Sequence, residues 1–208
     1  MIILLNFVIA THNKNKVGEI ESILRRTLDA SGNDESCFSV ITAGQLGIGE
    51  IEETGSTFEE NARIKACALT GRGYIAIADD SGLEVDALGG APGVHSARYS
   101  GGDSSENNRK LLRELDGVPD KDRTARFVSV ICCIFPDGRE LICRGECTGT
   151  ILREATGTGG FGYDPLFYYE PLKKTFAEMS SEEKNRVSHR ARALENFSDS
   201  FAKMNFIY

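Results

Sequence analysis

No stretch of this sequence is long and apolar enough to cross a bilayer. The longest, Met1 to Ala10, is half the roughly 20 residues that a spanning helix needs. It is not built as a secretory leader either, because no basic region precedes it and it runs into Thr11-His12-Asn13-Lys14 rather than a small-residue cleavage site. A cytoplasmic protein with no membrane partner is expected. Histidine is scarce at three, and Cys37, Cys67, Cys132, Cys133, Cys143 and Cys147 include no C-x-x-C pair. Adjacent Cys132 and Cys133 on a strand would face opposite ways, so the cysteines read as reduced core residues rather than zinc ligands or disulfides. Basic residues are short as well: 24 Lys and Arg against 31 Asp and Glu give a formal charge of −7. That deficit argues against a nucleic-acid polymer as partner, since such binding neutralises many phosphates with Lys and Arg. A small anionic ligand stays open, given a local cluster of donors and a divalent cation to bridge its oxygens to the protein's carboxylates.

Also missing are an internal repeat, a low-complexity run, a linker and the common phosphate-loop pattern G-x-x-x-x-G-K-[ST]. What remains is a 208-residue chain with 40% hydrophobic and 26% charged residues, enough for one folded domain with a real core. Ile2 to Ala10 reads as a buried strand, followed by a polar turn and a helix whose apolar face is Val17, Ile20, Ile23, Leu24 and Leu28. A short strand is expected at Cys37 to Thr42. A helix starts at Ser56 or Thr57, with Glu59 or Glu60 placed for a capping box, ends near Gly71, and buries Phe58, Ala62, Ala66 and Leu69. Tyr74 to Ala78 reads as a strand that runs directly into Asp79-Asp80-Ser81-Gly82, and Ser104 to Leu115 as a helix. Arg126 to Phe135 and Arg139 to Arg144 form a hairpin about Pro136-Asp137-Gly138, and a further strand runs from Gly145 to about Arg153. The last helix is capped by Ser180 or Ser181 with Glu183 in place, and its stripe is Val187, Ala191, Leu194, Phe201 and Met204. Helices interleaved with strands, plus a hairpin, imply an α/β protein with a mixed sheet.

Four constellations could carry chemistry. Thr11-His12-Asn13-Lys14-Asn15-Lys16 lies between the first strand and its helix, where unpaired N–H groups and a partial positive charge suit a phosphate; by position alone it reads equally as a capped polar loop. Asp79 and Asp80 follow an apolar strand, as carboxylates for Mg2+ or for taking a proton from water do at strand ends; the plain alternative is an acidic turn. Glu52 and Glu53 are a second acidic pair with a solvated loop as the alternative. Gly157 to Gly162 contains G-x-G-x-x-G, but Tyr163-Asp164-Pro165 follows where a dinucleotide-binding helix should start. That leaves a glycine loop presenting Phe161 and Tyr163, either a platform for a planar base or core aromatics, with Asp164 as an acceptor. Finally, Lys184 and Ser188 share a helix face, with His189 and Arg190 off the apolar stripe: phosphate or carbonyl donors, or a solvated flank.

In order along the chain, Ala10 to Lys16, Glu53-Thr54-Gly55, Ala78 to Gly82, Ala87 to Gly93, Phe161 to Pro165, and Glu183 to Asn185 with Ser188-His189-Arg190 resemble the inosine triphosphate pyrophosphatase family. Gly93 to Gly101 is similar to its bacterial branch. The resemblance covers nearly the whole chain. It implies a long twisted mixed sheet with helices forming two lobes around a central cleft, one two-lobed domain over residues 1–208, and a homodimer using Mg2+. The implied activity is hydrolysis of ITP, dITP and XTP to the monophosphate and pyrophosphate, by attack at the α-phosphorus. The implied roles are Asp80 as proton acceptor and metal ligand, Glu53 at the metal, Asp79 beside it, and Ser81 on substrate. Thr11, His12, Asn13, Lys14, Asn15 and Lys16, with Lys184, would hold the triphosphate. Phe161, Gly162, Tyr163 and Asp164 would receive the base, completed by His189 and Arg190. A broader nucleotide pyrophosphatase and a non-catalytic nucleotide sensor are the alternatives.

Overall fold

In the computed structural model, which describes residues 5–30 and 38–204, the elements run in the order β1 (Leu5–Ile9), α1 (Lys14–Ala30), β2 (Phe38–Thr42), α2 (Phe58–Cys67), β3 (Ile75–Val85), α3 (Ser104–Glu114), β4 (Thr124–Ile134), β5 (Glu140–Ile151), β6 (Phe167–Tyr169), β7 (Lys174–Thr175), α4 (Ser181–Val187) and α5 (His189–Ala202). The strands form one mixed sheet in the order β2-β1-β3-β4-β5-β6-β7. β1 is parallel to both β2 and β3, with Phe7 opposite Val40 on one side and Ile75 on the other. The β5-β6-β7 end is antiparallel. Among the described residues no helix is long and apolar enough to cross a membrane.

The chain divides into two compact units, one of Met1–Asp80, Ser129–Gly145 and Arg190–Tyr208, the other of Ser81–Val128 and Glu146–His189. The core of the first unit takes Phe7 and Ile9 from β1, Ile20, Ile23 and Leu24 from α1, Ile75 and Ile77 from β3, and Leu194, Phe197 and Phe201 from α5. The core of the second takes Leu83, Leu111, Leu115, Phe127, Ile151, Phe167 and Phe176. Burial of these side chains, at about 1.5–3 kcal/mol each, drives both collapses. Of the stripes read from sequence, Ile20, Ile23 and Leu24 of α1, Phe58, Ala62 and Ala66 of α2, and Leu69 are at most 4% exposed and Val17 is half-buried; α2 stops at Cys67 rather than near Gly71, leaving Leu69 in the turn that follows. Thr57 and Glu60 close the expected capping box on α2, and Ser180 and Glu183 that on α4. The five described cysteines are free. Ile2 to Leu4, Cys37 and the side chain of Leu28 lie outside the described residues.

Four further departures from the sequence reading are larger. Asp79-Asp80-Ser81-Gly82 is not a turn but the middle of β3, which runs without interruption to Val85. Asp, Ser and Gly favour turns, and tertiary pairing has overridden that preference because cations meet the buried carboxylates, as described below. Gly145 does not divide two strands; Glu140–Ile151 is a single strand. β6 and β7, of three and two residues, are too short to show a period and were not anticipated. The final helix is broken at Ser188, whose backbone (φ −69°, ψ 160°) is extended. Its expected stripe in fact serves two cores: Val187 packs in the second unit, Ala191 and Leu194 in the first.

Candidate active site

Because β3 continues through the acidic pair, Asp79 and Asp80 point to opposite faces of a strand and enter different environments. Asp79 is fully buried, and both of its oxygens are engaged. Oδ1 accepts from the Ser129 hydroxyl at 2.6 Å. Oδ2 lies 2.9 Å from the Lys16 ammonium and 3.2 Å from the Arg190 guanidinium. Burial alone would raise the Asp79 carboxyl, but Arg190, Lys16 and Ser129 together hold it well below the usual carboxylate range. Arg190, 1% exposed, also pairs with Glu19. Its guanidinium is thus committed to two carboxylates, with its affinity for the proton raised above normal by them against the opposing effect of burial.

Asp80 faces a different cation. The Lys65 ammonium, on α2, lies 2.8 Å from Asp80 Oδ1 and 2.6 Å from Glu53 Oε1. Burial acts to lower the Lys65 ammonium, yet the two carboxylates outweigh it and the net direction is upward. For Asp80 burial wins: its carboxyl is raised, despite Lys65. Asp80 Oδ2 is buried with no hydrogen-bond partner among the described residues. Glu53 is placed by a loop that α2 anchors, since the Gly55 N–H donates to the fully buried Asn61 Oδ1 at 2.8 Å. A Cβ at Gly55 would stand 2.7 Å from that same oxygen, so only glycine allows the approach.

The Thr11 to Lys16 segment is both loop and cap. Asn13 Oδ1 accepts from the N–H of Asn15 at 3.0 Å and of Lys16 at 3.3 Å, and Thr11 Oγ1 from the N–H of Asn13 at 3.2 Å. Asn13 is therefore the cap of α1. His12, Lys14 and Asn15 are exposed, and Lys16 is directed to Asp79.

In the second unit the Lys184 ammonium bonds Asp164 Oδ2 at 2.7 Å and sits 4.6 Å from the centre of the Phe161 ring. The same Asp164 oxygen accepts from the Phe161 N–H at 2.7 Å. Phe161, Asp164 and Lys184 thus form one group, with the Phe161 ring partly exposed. Asn108 donates to the Gly162 carbonyl at 3.0 Å. Tyr163 is different: 4% exposed, it belongs to the core, and its hydroxyl donates to the Ser96 carbonyl. His189 stacks on Phe127 at 4.8 Å and is 4% exposed. Ser81 is half-buried on β3.

Lys65, Ser129, Glu19 and Asn61 were not singled out from sequence. For Lys65 a signal existed. It falls three residues after Ala62 and four before Leu69, on the apolar stripe of α2, and a lysine at a core position requires a buried partner.

Two carboxylates converging on one cation, with a spare buried oxygen on Asp80, fit a hard divalent ion that takes its remaining oxygens from phosphate and water. Among the described residues no group of three or more His, Cys, Asp or Glu forms an all-protein metal cage.

The mixed seven-stranded sheet with interleaved helices makes this an α/β protein. A HAM1 protein from Coxiella burnetii shares its fold, with TM-score 0.82 and 40% identity over 96% of this chain and 100% of that one. The Staphylococcus aureus Ham1 protein aligns with TM-score 0.80 at 38% identity over 94% and 97% of the two chains. A dITP/XTP pyrophosphatase of Desulforamulus reducens is 50% identical over 196 residues, 92% of each chain. One from Syntrophobacter fumaroxidans is 53% identical over 191 residues, 90% of this chain and 78% of that one. The Ham1 family model matches residues 7–200. The chain belongs to the Ham1 family.

Proposed function

We propose that this protein hydrolyses non-standard purine nucleoside triphosphates, namely ITP, dITP and XTP, to the monophosphate and pyrophosphate. The names of the relatives at 45–53% identity support the substrate class. The observation that carries the chemistry is Asp80: a buried carboxylate, its proton affinity raised by burial, with one oxygen held by Lys65 and the other without a hydrogen-bond partner among the described residues. A carboxylate in that state is suited to accept a proton from water, because desolvation strengthens it as a base.

Attack of water on phosphorus is opposed by the anionic oxygens around it, so positive charge must be supplied. Glu53 and Asp80 are the residues that would hold Mg2+, which when bound neutralises phosphate oxygens and polarises the phosphoryl group. Lys16, with Thr11, Asn13 and their neighbours His12, Lys14 and Asn15, binds phosphate. Asp79 acts through Lys16, as a positioning residue. Phe161 offers a ring face to the purine, and Asp164, steadied by Lys184, offers an acceptor to a ring N–H that hypoxanthine carries and adenine lacks. Gly162 gives that loop its turn, at φ +63°. Ser81 is the remaining substrate contact, while Arg190, held by Asp79 and Glu19, acts through Asp79, and His189, stacked on Phe127, supports the site from the core. The family resemblance supports a cytoplasmic homodimer as the working form.

The test is pyrophosphate release from ITP, XTP, GTP, ATP and dUTP at equal concentration, with Mg2+ and then with chelator. Release from ITP and XTP alone, lost on chelation, is expected. Equal release from ATP overturns the substrate assignment, and nucleotide binding without any release overturns the enzyme.

A further inference from the structure

We infer that Lys65 is a built-in substitute for the divalent cation: its ammonium holds the Glu53–Asp80 pair together in the nucleotide-free protein, so the metal binds weakly until a triphosphate arrives with it. The inference deepens the proposed function and rests on it for the identity of the metal pair.

Lys65 is 7% exposed and its ammonium lies within 2.8 Å of an oxygen from each carboxylate. One ammonium thus bonds both carboxylates and the trio keeps a formal excess of one negative charge, with Lys16 also attracting Asp80. In water such charges would interact weakly, but Asp80 and Lys65 side chains are only 6% and 8% exposed, so the attraction is poorly screened. A divalent ion entering this position must displace the ammonium or share its oxygens. Mg2+ also demands about six oxygens and gives up its water reluctantly. The protein offers two carboxylates here, and among the described residues no third acidic, His or Cys side chain joins them.

A purely structural ion pair would use all of its acceptors. Asp80 does not: it is 4% exposed, yet Oδ2 has no hydrogen-bond partner among the described residues. That oxygen is available to a cation. Triphosphate oxygens supply the ligands that the two carboxylates cannot, and the flexible four-carbon stem of lysine lets the ammonium move aside without moving α2. Metal binding and nucleotide binding are then coupled, each strengthening the other.

The experiment is Mn2+ binding to the nucleotide-free protein, followed by water-proton relaxation, for the wild type, Lys65→Met and Lys65→Arg. Lys65→Met is expected to bind Mn2+ at least ~10-fold more tightly than the wild type, about 1.4 kcal/mol. Lys65→Arg, which keeps the charge, should stay weak. In chelator Lys65→Met should melt below the wild type and recover with excess Mn2+. Equal or weaker Mn2+ binding by Lys65→Met overturns the inference. Should that variant fold poorly, the wild type decides alone: a non-hydrolysable ITP analogue should tighten protein-bound Mn2+ by ~10-fold or more, and an unchanged affinity overturns the inference. These readings need no turnover. Failure to hydrolyse ITP would count against the proposed function, whereas failure of the Mn2+ titrations would count against Lys65 alone.

Discussion

Replacing Asp79 by Asn tests whether the inner carboxylate of the acidic pair organises Lys16 or holds a metal. The substitution preserves shape, and the amide oxygen can still accept from Ser129, which lies 2.6 Å from the carboxylate. What disappears is the counter-charge to Lys16 at 2.9 Å and to Arg190 at 3.2 Å. Arg190 is 1% exposed and Asp79 is completely buried, so solvent cannot compensate. Removing one partner of a buried pair costs about 3–5 kcal/mol. Lys16 is 17% exposed and Arg190 keeps Glu19, so the lower end, about 3 kcal/mol, is expected. Urea unfolding near neutral pH should show a lower midpoint with an unchanged slope. The pH dependence gives a second check. A carboxyl held below its unfolded-state value stabilises fully above that value, about 3.9 for Asp, and the contribution fades as pH falls toward the folded-state value. The gap between wild type and variant should therefore narrow in acid, below about pH 4. If Asp79 were instead a metal ligand crowded by Asp80, neutralising it would stabilise the metal-free protein. A loss under about 1 kcal/mol, a gain, or a gap that persists in acid would refute the reasoning.

Asp80→Asn should lower turnover of ITP by ~10²–10⁴-fold while leaving circular dichroism unchanged, as removal of a general base does; normal turnover would exclude Asp80 from the chemistry. Gly160→Ala places a methyl 2.2 Å from Asp164 Oδ2 at φ +67°, so it should displace Asp164 and weaken discrimination of ITP from ATP; unaltered selectivity would contradict the role of Asp164. Arg123, 2% exposed, donates to the carbonyls of Leu115, Ile151 and Leu152 within 2.9 Å. Arg123→Met should cost ~2–4 kcal/mol in urea unfolding without changing the nucleotide profile, and a cost near zero would show those carbonyls to be solvated.

How much of this protein is written in its sequence differs from element to element. Helices with a capping box and an apolar stripe declare themselves locally, which is why the Thr57 cap and Phe58, Glu60, Ala62 and Ala66 of α2 could be placed from spacing alone. The fold class, the sheet of mixed direction and the family followed from the same signals and from motif order. The course of β3 did not. Asp-Asp-Ser-Gly reads as a turn wherever local preference decides, and only Lys16, Arg190, Ser129 and Lys65, from distant parts of the chain, make those residues tolerable inside a sheet. The same holds for the break at Ser188 and for Tyr163, an aromatic that looked presentable but hydrogen-bonds within the core. Sequence determined which residue types were available for chemistry, since charge, hydroxyl and ring are properties of single side chains. Tertiary structure decided which of them share a charge, because burial and distance set electrostatic energy, and neither is a property of any local segment.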